Sequence, residues 1–447
     1  MSDEAPSKNE KSTSPTPTCD AEKTDDQMVA AAAAVLQIQE NPPDIFKLDV
    51  DCCEELFEWL SIKDLHSFGQ TCKRMHRIAG IYFRQNYPGA KTEFRSDGIY
   101  YDSTRLDGFM EFIDDISIET YDSNLLAYIG KCKSLKAINF KFLDKGLKFD
   151  MISEVLAKVE NIQIIVGELK EKDLELSPNL KRLIVNWSCN AYLLFKLNKC
   201  PKLEHINFPP IEGRFKGMER FFEQIPNIQS ISIDWRILYA NKNGFLQSNA
   251  KLDTLIISLR DDEVDETFGS ILNELHDRGF YKRLHLLQMD FAGGRQQSID
   301  SFASLRALDG LLIANIETDV IWPLMQNLKT IVIGDFNDFD LTTLPSKLPM
   351  LQRIDILLDT TMDVIRAFIR WSKDLKQIRI KSTIEDVETI LDLTSLNKER
   401  AKLAAASKVI IYVPEDVFLA KKFAGGVSRS FIEIKRFESA KSDLFYS

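Results

Sequence analysis

One short apolar unit recurs along most of this chain, and its recurrence constrains the fold more than any other feature. The unit reads apolar-x-x-apolar-x-apolar. It occupies 113–118, 135–140, 162–167, 180–185, 203–208 and 228–233, then 252–257, 284–289, 308–313, 328–333, 351–356 and 375–380. The poorest match is 162–167, which ends on Gly167. The spacing averages about 24 residues, the period of architectures that stack one small unit on the next. Each unit buries its apolar face only against its neighbours, so such a chain grows in one dimension. Length is then no guide to domain count. A weaker unit follows at 406–411, and a strand-like run from Phe431 to Phe437 would cover the apolar face of the last repeat.

Within each unit the apolar residues alternate with others, as a strand requires. Short amphipathic segments lie between the units, among them MERFFEQI, YLLFKL and MISEVLAKVENI, the last with Asp150 as a candidate N-cap. Thr360-Thr361-Met362-Asp363 ahead of VIRAFIRW reads as a capping box. One strand and one helix per unit predict an α/β solenoid, with a parallel sheet on its concave face and helices outside. A period near 24 with this pattern is that of a leucine-rich repeat.

Composition narrows the function. The net charge is −10, and about half of it lies before Asp44 in a stretch rich in Ser, Thr, Pro and acids. Residues 1–43 are expected to be a disordered acidic tail, since they hold too few apolar residues to offset chain entropy. The remainder has no strong basic excess, which argues against nucleic acid as a partner. The run Lys73-Arg74-Met75-His76-Arg77 is read as the solvated face of a small helix. The apolar run from Met28 to Ile38 is too short to span a bilayer, and no membrane partner is expected. The start, MSDEAPSKNE, has no secretory pattern. Seven cysteines without CxxC spacing read as reduced thiols, placing the protein in the cytoplasm, the nucleus or both.

No nucleotide-binding, zinc-protease or nucleophile-elbow motif is present, and no metal or cofactor is expected. The histidines are scattered, and His205, beside a repeat strand, is read as a plain surface residue. The acidic run from Asp261 to Glu266 lacks the glycine of a calcium loop and is read as a loop leading into a helix. Gly293-Gly294 and Gly425-Gly426 are read as turns.

Ahead of the repeats the periodicity is purely helical. Leu48, Cys52, Leu56 and Leu60 form one stripe, flanked by Cys53 and Phe57. Ser61-Ile62-Lys63-Asp64 is a turn with Asp64 as candidate N-cap of a second helix, and a third carries Cys72, Met75 and Ile78. Three short helices over 44–88 cannot bury all their large apolar residues among themselves, so something else should cover the surplus.

The stretch from Leu48 to Ile78 resembles the F-box. The residues that carry the likeness are Leu48, Asp49 and Asp51, then Leu56, Phe57 and Leu60, then Asp64-Leu65, then Cys72-Lys73-Arg74-Met75. Asp49 stands where the family usually has proline, and Asp51 where it usually has glutamate. With repeats over 89–447, the order of parts is similar to the F-box/leucine-rich-repeat class. The resemblance implies docking on the Skp adaptor, and through it on cullin, by Leu48, Cys52, Leu56, Phe57, Leu60 and Leu65. Several of these residues could instead hold the three helices together.

The resemblance implies a non-catalytic substrate receptor of a Skp–cullin–F-box ubiquitin ligase, which works by bringing a target close. The alternative is an adaptor-independent protein-binding scaffold. Strand alternation places Asn139, Ile184, Asn207, Ser232, Ile256, Gln288, Leu312, Val332, Asp355 and Arg379 in one concave row as candidate target contacts. Such a mixed row suits a protein ligand. Trp187 and Trp235 lie just past their strands, where packing under a loop is the commoner fate.

Overall fold

The computed structural model describes residues 44–87, 92–95, 97–101, 103–118, 125–140, 159–164, 178–185, 200–207, 218–259, 264–288, 296–316, 320–336, 341–357, 360–381, 391–424 and 426–437. The expected tail, the YLLFKL helix, Trp187 and Gly293-Gly294 lie outside these residues, as does most of the segment from Met151. The chain divides into two compact units, residues 1–53 and 54–447.

In the first unit a 3-10 turn, Asp44–Lys47, precedes helix α1, Val50–Phe57, whose last turn belongs to the second unit. Asp49 starts the helix. Its Oδ1 accepts from the Cys52 amide at 2.8 Å, and its carbonyl accepts from Cys53 N at 3.1 Å. A carboxylate cap thus satisfies a first-turn amide at the position where a proline would only preset the backbone.

The second unit opens with α2, Ile62–Gly69, and α3, Lys73–Asn86. The sequence reading placed the start of α2 at Asp64, but the cap is Ser61. Its Oγ accepts from Asp64 N at 3.1 Å and donates to Asp64 Oδ2 at 2.7 Å. Asp64, the third helical residue, is thus tied to the cap hydroxyl twice, through its amide and through its carboxylate. Cys72 caps α3 through Sγ, which accepts from Met75 N at 3.5 Å. Phe57 centres this small core, with the Phe68 and Tyr82 rings each 5.4 Å away edge-on. A Cβ built at Gly80 would lie 2.1 Å from the Phe112 ring, so only glycine lets α3 approach the 3-10 turn Asp107–Phe112 this closely.

Among the described residues seventeen strands form one sheet. A meander comes first: β1, Thr92–Arg95, pairs antiparallel with β2, Gly98–Tyr101, and β2 with β3, Thr104–Arg105. β1 also pairs parallel with β4, Asp115–Ile118. From there every pairing is parallel and in chain order. The strands are β5 Ala137–Phe140, β6 Asn161–Ile164, β7 Arg182–Val185, β8 His205–Asn207, β9 Ser230–Asp234 and β10 Leu252–Leu259. They continue as β11 Tyr281–Gln288, β12 Leu308–Ile316, β13 Thr330–Phe336, β14 Arg353–Ile356, β15 Gln377–Ile380, β16 Val409–Val413 and β17 Ile432–Arg436.

The repeat creates an apolar ladder. Ile116, Ile138, Ile162, Leu183, Ile206, Ile231, Leu255 and Leu284 lie side by side across β4–β11, and all are buried. Just ahead of each strand from β4 to β9 a backbone carbonyl accepts two amides from the next repeat. Asp114 O takes Lys136 N at 2.8 Å and Ala137 N at 2.9 Å, and Lys136, Glu160, Lys181, Glu204 and Gln229 repeat the motif. Helices fill the return paths between strands, including Met218–Gln224, Glu266–Asp277, Met362–Trp371 and Leu393–Ala401.

Several sequence readings shift in register. Ile162 pairs with Ile138 and Leu183, so its unit begins on buried Val159 and not on Ile162. Asn161 and Ile162, read as the end of a helix, are strand residues for the same reason. Ile411 pairs with Ile378 and takes the middle apolar position of its unit, with Val413 the last. The helix Met362–Trp371 is capped by Thr361 without a side-chain bond, one residue later than the box read from Thr360.

At the far end, β17 and helix α12, Glu415–Phe423, the twelfth α-helix among the described residues, pack on the helical segment. Arg436, almost enclosed, donates Nη2 to the Glu58 and Leu60 carbonyls at 2.8 and 2.9 Å. Its Nη1 donates to Tyr87 Oη and lies 3.3 Å from Glu415 Oε1, to which the Tyr87 hydroxyl donates at 3.0 Å. Burial holds the Tyr87 hydroxyl well above its ordinary pKa, so it remains a donor.

Candidate functional site

The helical segment sorts its predicted contacts by burial. In the first unit Leu48 is half-buried and Cys52 exposed. In the second, Leu56 and Leu60 are half-buried, while Phe57 and Leu65 are fully enclosed. Phe57 and Leu65 thus serve the core of the helices themselves, as the alternative reading had it. The reason is periodicity: Phe57 lies one residue off the stripe that ends on Leu60 and turns inward against Phe68 and Tyr82. On α3, Lys73, Arg74 and Arg77 are exposed and Met75 buried, which is the solvated basic face that was expected.

Trp59 was missed by the sequence reading. It is 39% exposed, directly beside Leu60, and its ring lies 5.3 Å from Phe423 of α12, which is 70% exposed. Lys422 fixes the indole. Its Nζ lies 4.5 Å above the ring and donates to Glu58 Oε2 at 2.6 Å. No local pattern joins Trp59 to Phe423, because they meet only once the last repeat is in place.

The second candidate region is the sheet face that alternates with the apolar ladder. Asn139, Ile184, Asn207, Ser232 and Ile256 share one line across it. The line then passes to His285, not to Gln288: Ile256 pairs with His285, whereas Gln288 pairs with Leu259 and Ile313 on the ladder side. The unit begins on Tyr281, three residues earlier than the pattern indicated. A register shift between β11 and β12 follows, at Leu284/His285. It moves Leu312, Val332, Asp355 and Arg379 onto the neighbouring line, continuous with Ser258 and Leu287. The predicted row is therefore two lines of one face, since one extra residue moves a strand's side chains relative to its neighbour.

Burial on that face is high. Asn139 and Asn207 keep partial exposure, while Ile184, Ser232, Ile256, Leu312, Val332, Asp355 and Arg379 are buried. Asp355 accepts from Arg353 Nε at 2.7 Å and from its Nη2, with Arg379 Nη1 at 3.7 Å. Arg379 in turn lies over the Tyr412 ring at 5.6 Å. A second ion cluster joins Asp309 to Lys329 at 2.7 Å and to His285 at 3.6 Å. Burial alone would raise the Asp309 pKa, but His285 and Lys329 outweigh it and hold it at about 2.

His205 is buried, not a surface residue. It lies between Arg182 and Ser230 on this face, and burial, with Arg182 adding to it, lowers its pKa to about 3. Its Nδ1 has no hydrogen-bond partner among the described residues. Trp235 is buried against Phe268, with ring centroids 4.7 Å apart, so it packs under its loop. Asp265, at the end of the acidic run, caps the helix Glu266–Asp277 by accepting from Thr267 N and Phe268 N. Among the described residues no group of three or more His, Cys, Asp or Glu could hold a metal, and no helix is long and apolar enough to cross a membrane.

Comparison with known proteins agrees with the helical geometry. The family model of the F-box domain matches residues 45–81, the stretch that holds α1, α2 and most of α3. That segment of the chain is therefore similar to an F-box domain. No curated protein matches the chain. Among solved structures it is similar to a Toll–Spatzle complex of Drosophila, with 11% identity and a TM-score of 0.31 over 72% of this chain and 43% of that one. The chain thus spans less than half the length of that relative. It is also similar to the pneumococcal vaccine antigen PcpA, with 14% identity and a TM-score of 0.20 over 73% of this chain and 78% of that one.

Proposed function

We propose that this protein is a non-catalytic substrate-recognition subunit of a Skp–cullin–F-box ubiquitin ligase. The observation that carries the reading is the F-box match over 45–81, on helices that leave Leu56 and Leu60 only half-buried. Those side chains, with Leu48 and Cys52, are the contacts for the Skp adaptor. In this reading 44–88 is the F-box segment and 89–447 a leucine-rich-repeat solenoid with β17 in its C-terminal cap. The parallel pairing from β4 to β17 and the period near 24 residues support a repeat of that type. The solenoid binds a target protein, with Asn139 and Asn207 the candidate contacts that keep partial exposure. Ubiquitin transfer is promoted by proximity, with no reactive residue supplied by this chain. Such a subunit works in the cytoplasm, the nucleus or both.

Co-expression of the full chain with a Skp adaptor, followed by affinity capture, tests this reading. The expected result is a stable complex that Leu56→Asp with Leu60→Asp abolishes. A well-folded chain that captures no adaptor would identify it as a free-standing scaffold.

A further inference from the structure

We propose that the adaptor-docking surface does not end with the F-box but continues onto the last repeat, with Phe423 of α12 as a direct contact beside Trp59. The inference rests on the F-box reading above.

Continuity identifies the occupant. Trp59 lies inside the F-box match, between the half-buried Leu56 and Leu60, and its ring meets Phe423 at 5.3 Å. A partner seated on Leu56 and Leu60 thus has Trp59 at its border and Phe423 as the next apolar surface. Both aromatics face solvent, Phe423 to 70%. Aromatic side chains are enriched at protein interfaces, and each can bury on the order of 200 Å².

The patch is also rigid before a partner arrives. Lys422, with only 8% of its side chain exposed, clamps Trp59 from above while bonded to Glu58 at 2.6 Å. Glu415, at the start of the same helix, is held by Tyr87 at 3.0 Å and by Arg436 at 3.3 Å. Both ends of α12 are therefore fixed to residues of the helical segment. A surface ordered in advance loses little side-chain freedom on binding. Lys422 is paired with Glu58, which leaves the exposed parts of the two rings as the features a partner reads.

The test is the affinity of the full chain for a purified Skp adaptor, measured for wild type, Phe423→Ser, Phe423→Leu and Leu56→Asp with Leu60→Asp. The expected result is about a 5- to 20-fold weaker complex for Phe423→Ser, near-wild-type affinity for Phe423→Leu, and no complex for the double variant. Unchanged affinity in Phe423→Ser, with the double variant inactive, overturns this inference and leaves the F-box reading standing. A wild-type chain that does not bind overturns both. If Phe423→Ser instead dissolves a dimer of the free chain, the patch belongs to a second copy and the inference falls. Should Phe423→Ser fold poorly, hydrogen exchange of the wild-type chain decides. Slower exchange over 415–424 on adding adaptor supports the contact, and unchanged exchange there refutes it.

Discussion

Arg436 donates to the carbonyl of Glu58 at 2.8 Å, across 378 residues of sequence. The same guanidinium reaches Leu60 O and the Tyr87 hydroxyl. It thereby satisfies two carbonyls of the turn that directly follows α1. The last strand of the sheet is in this way a structural part of the helical segment near the N-terminus.

Arg436→Ala should destabilise the second unit by roughly 2–4 kcal/mol, because it leaves two part-buried carbonyls without their donor and Glu415 without its ion-pair partner. Chemical denaturation measures the loss. Hydrogen exchange locates it: faster exchange is expected over 54–69, with β9–β13 unchanged. A uniform increase across the sheet would contradict the local role.

A second buried arginine closes a helix within the array. Arg400 is fully enclosed and donates to the carbonyls of Ile369, Ser372, Lys373, Leu375 and Ser407. These include the open end of the helix Met362–Trp371. Arg400→Met keeps the volume and removes every donor. It should cost about 3–5 kcal/mol in denaturation midpoint analysis, and Arg400→Lys most of that, since an ammonium cannot span so many acceptors.

Acid should weaken the fold well above the carboxylate range. Burial depresses the His205 pKa to about 3, against roughly 6.5 in an unfolded chain. Between those values the unfolded state binds the proton and the folded state does not, so stability falls as pH drops. The ceiling is about 1.4 kcal/mol per pH unit through that window. Denaturation series from pH 7 to 4 should show a slope that His205→Gln flattens. An identical slope in the variant would show that the pH dependence has another origin.

Asp49→Ala should remove about 1 kcal/mol of local helix stability by uncapping the Cys52 amide. The readout is faster exchange of that amide. Asp49→Pro, which restores the usual F-box residue, should leave the Cys52 amide uncapped as well.

Gly80→Ala should cost at least as much as an overpacked core site, roughly 1–3 kcal/mol, because the new Cβ would collide with the Phe112 ring. Adding Phe112→Leu should recover part of the loss in the same denaturation assay.

The ladder from Ile116 to Leu284 was legible because two periods coincide there, the alternation of a strand and the spacing of the repeat. Those periods are local properties of the chain, and burial rewards them wherever the units stack. The stripe of Leu56 and Leu60 was legible for the same reason at helical spacing. Gln288 was misplaced because the pattern around Leu284 fits two registers, and only pairing with Leu255 and Leu259 selects one. His205 was misread as well, since a strand position does not reveal what covers it.

The sequence alone thus determined the unit of construction, the order of helices before strands, and an F-box stretch with apolar residues to spare. Tertiary structure decided which of those residues are used up inside. It enclosed Phe57 and Leu65, left Leu56 and Leu60 half-open, and brought Phe423 beside Trp59. The physical reason is range. Periodicity encodes contacts a few residues or one repeat apart, whereas the bond from Arg436 to Glu58 exists only after every intervening unit has stacked.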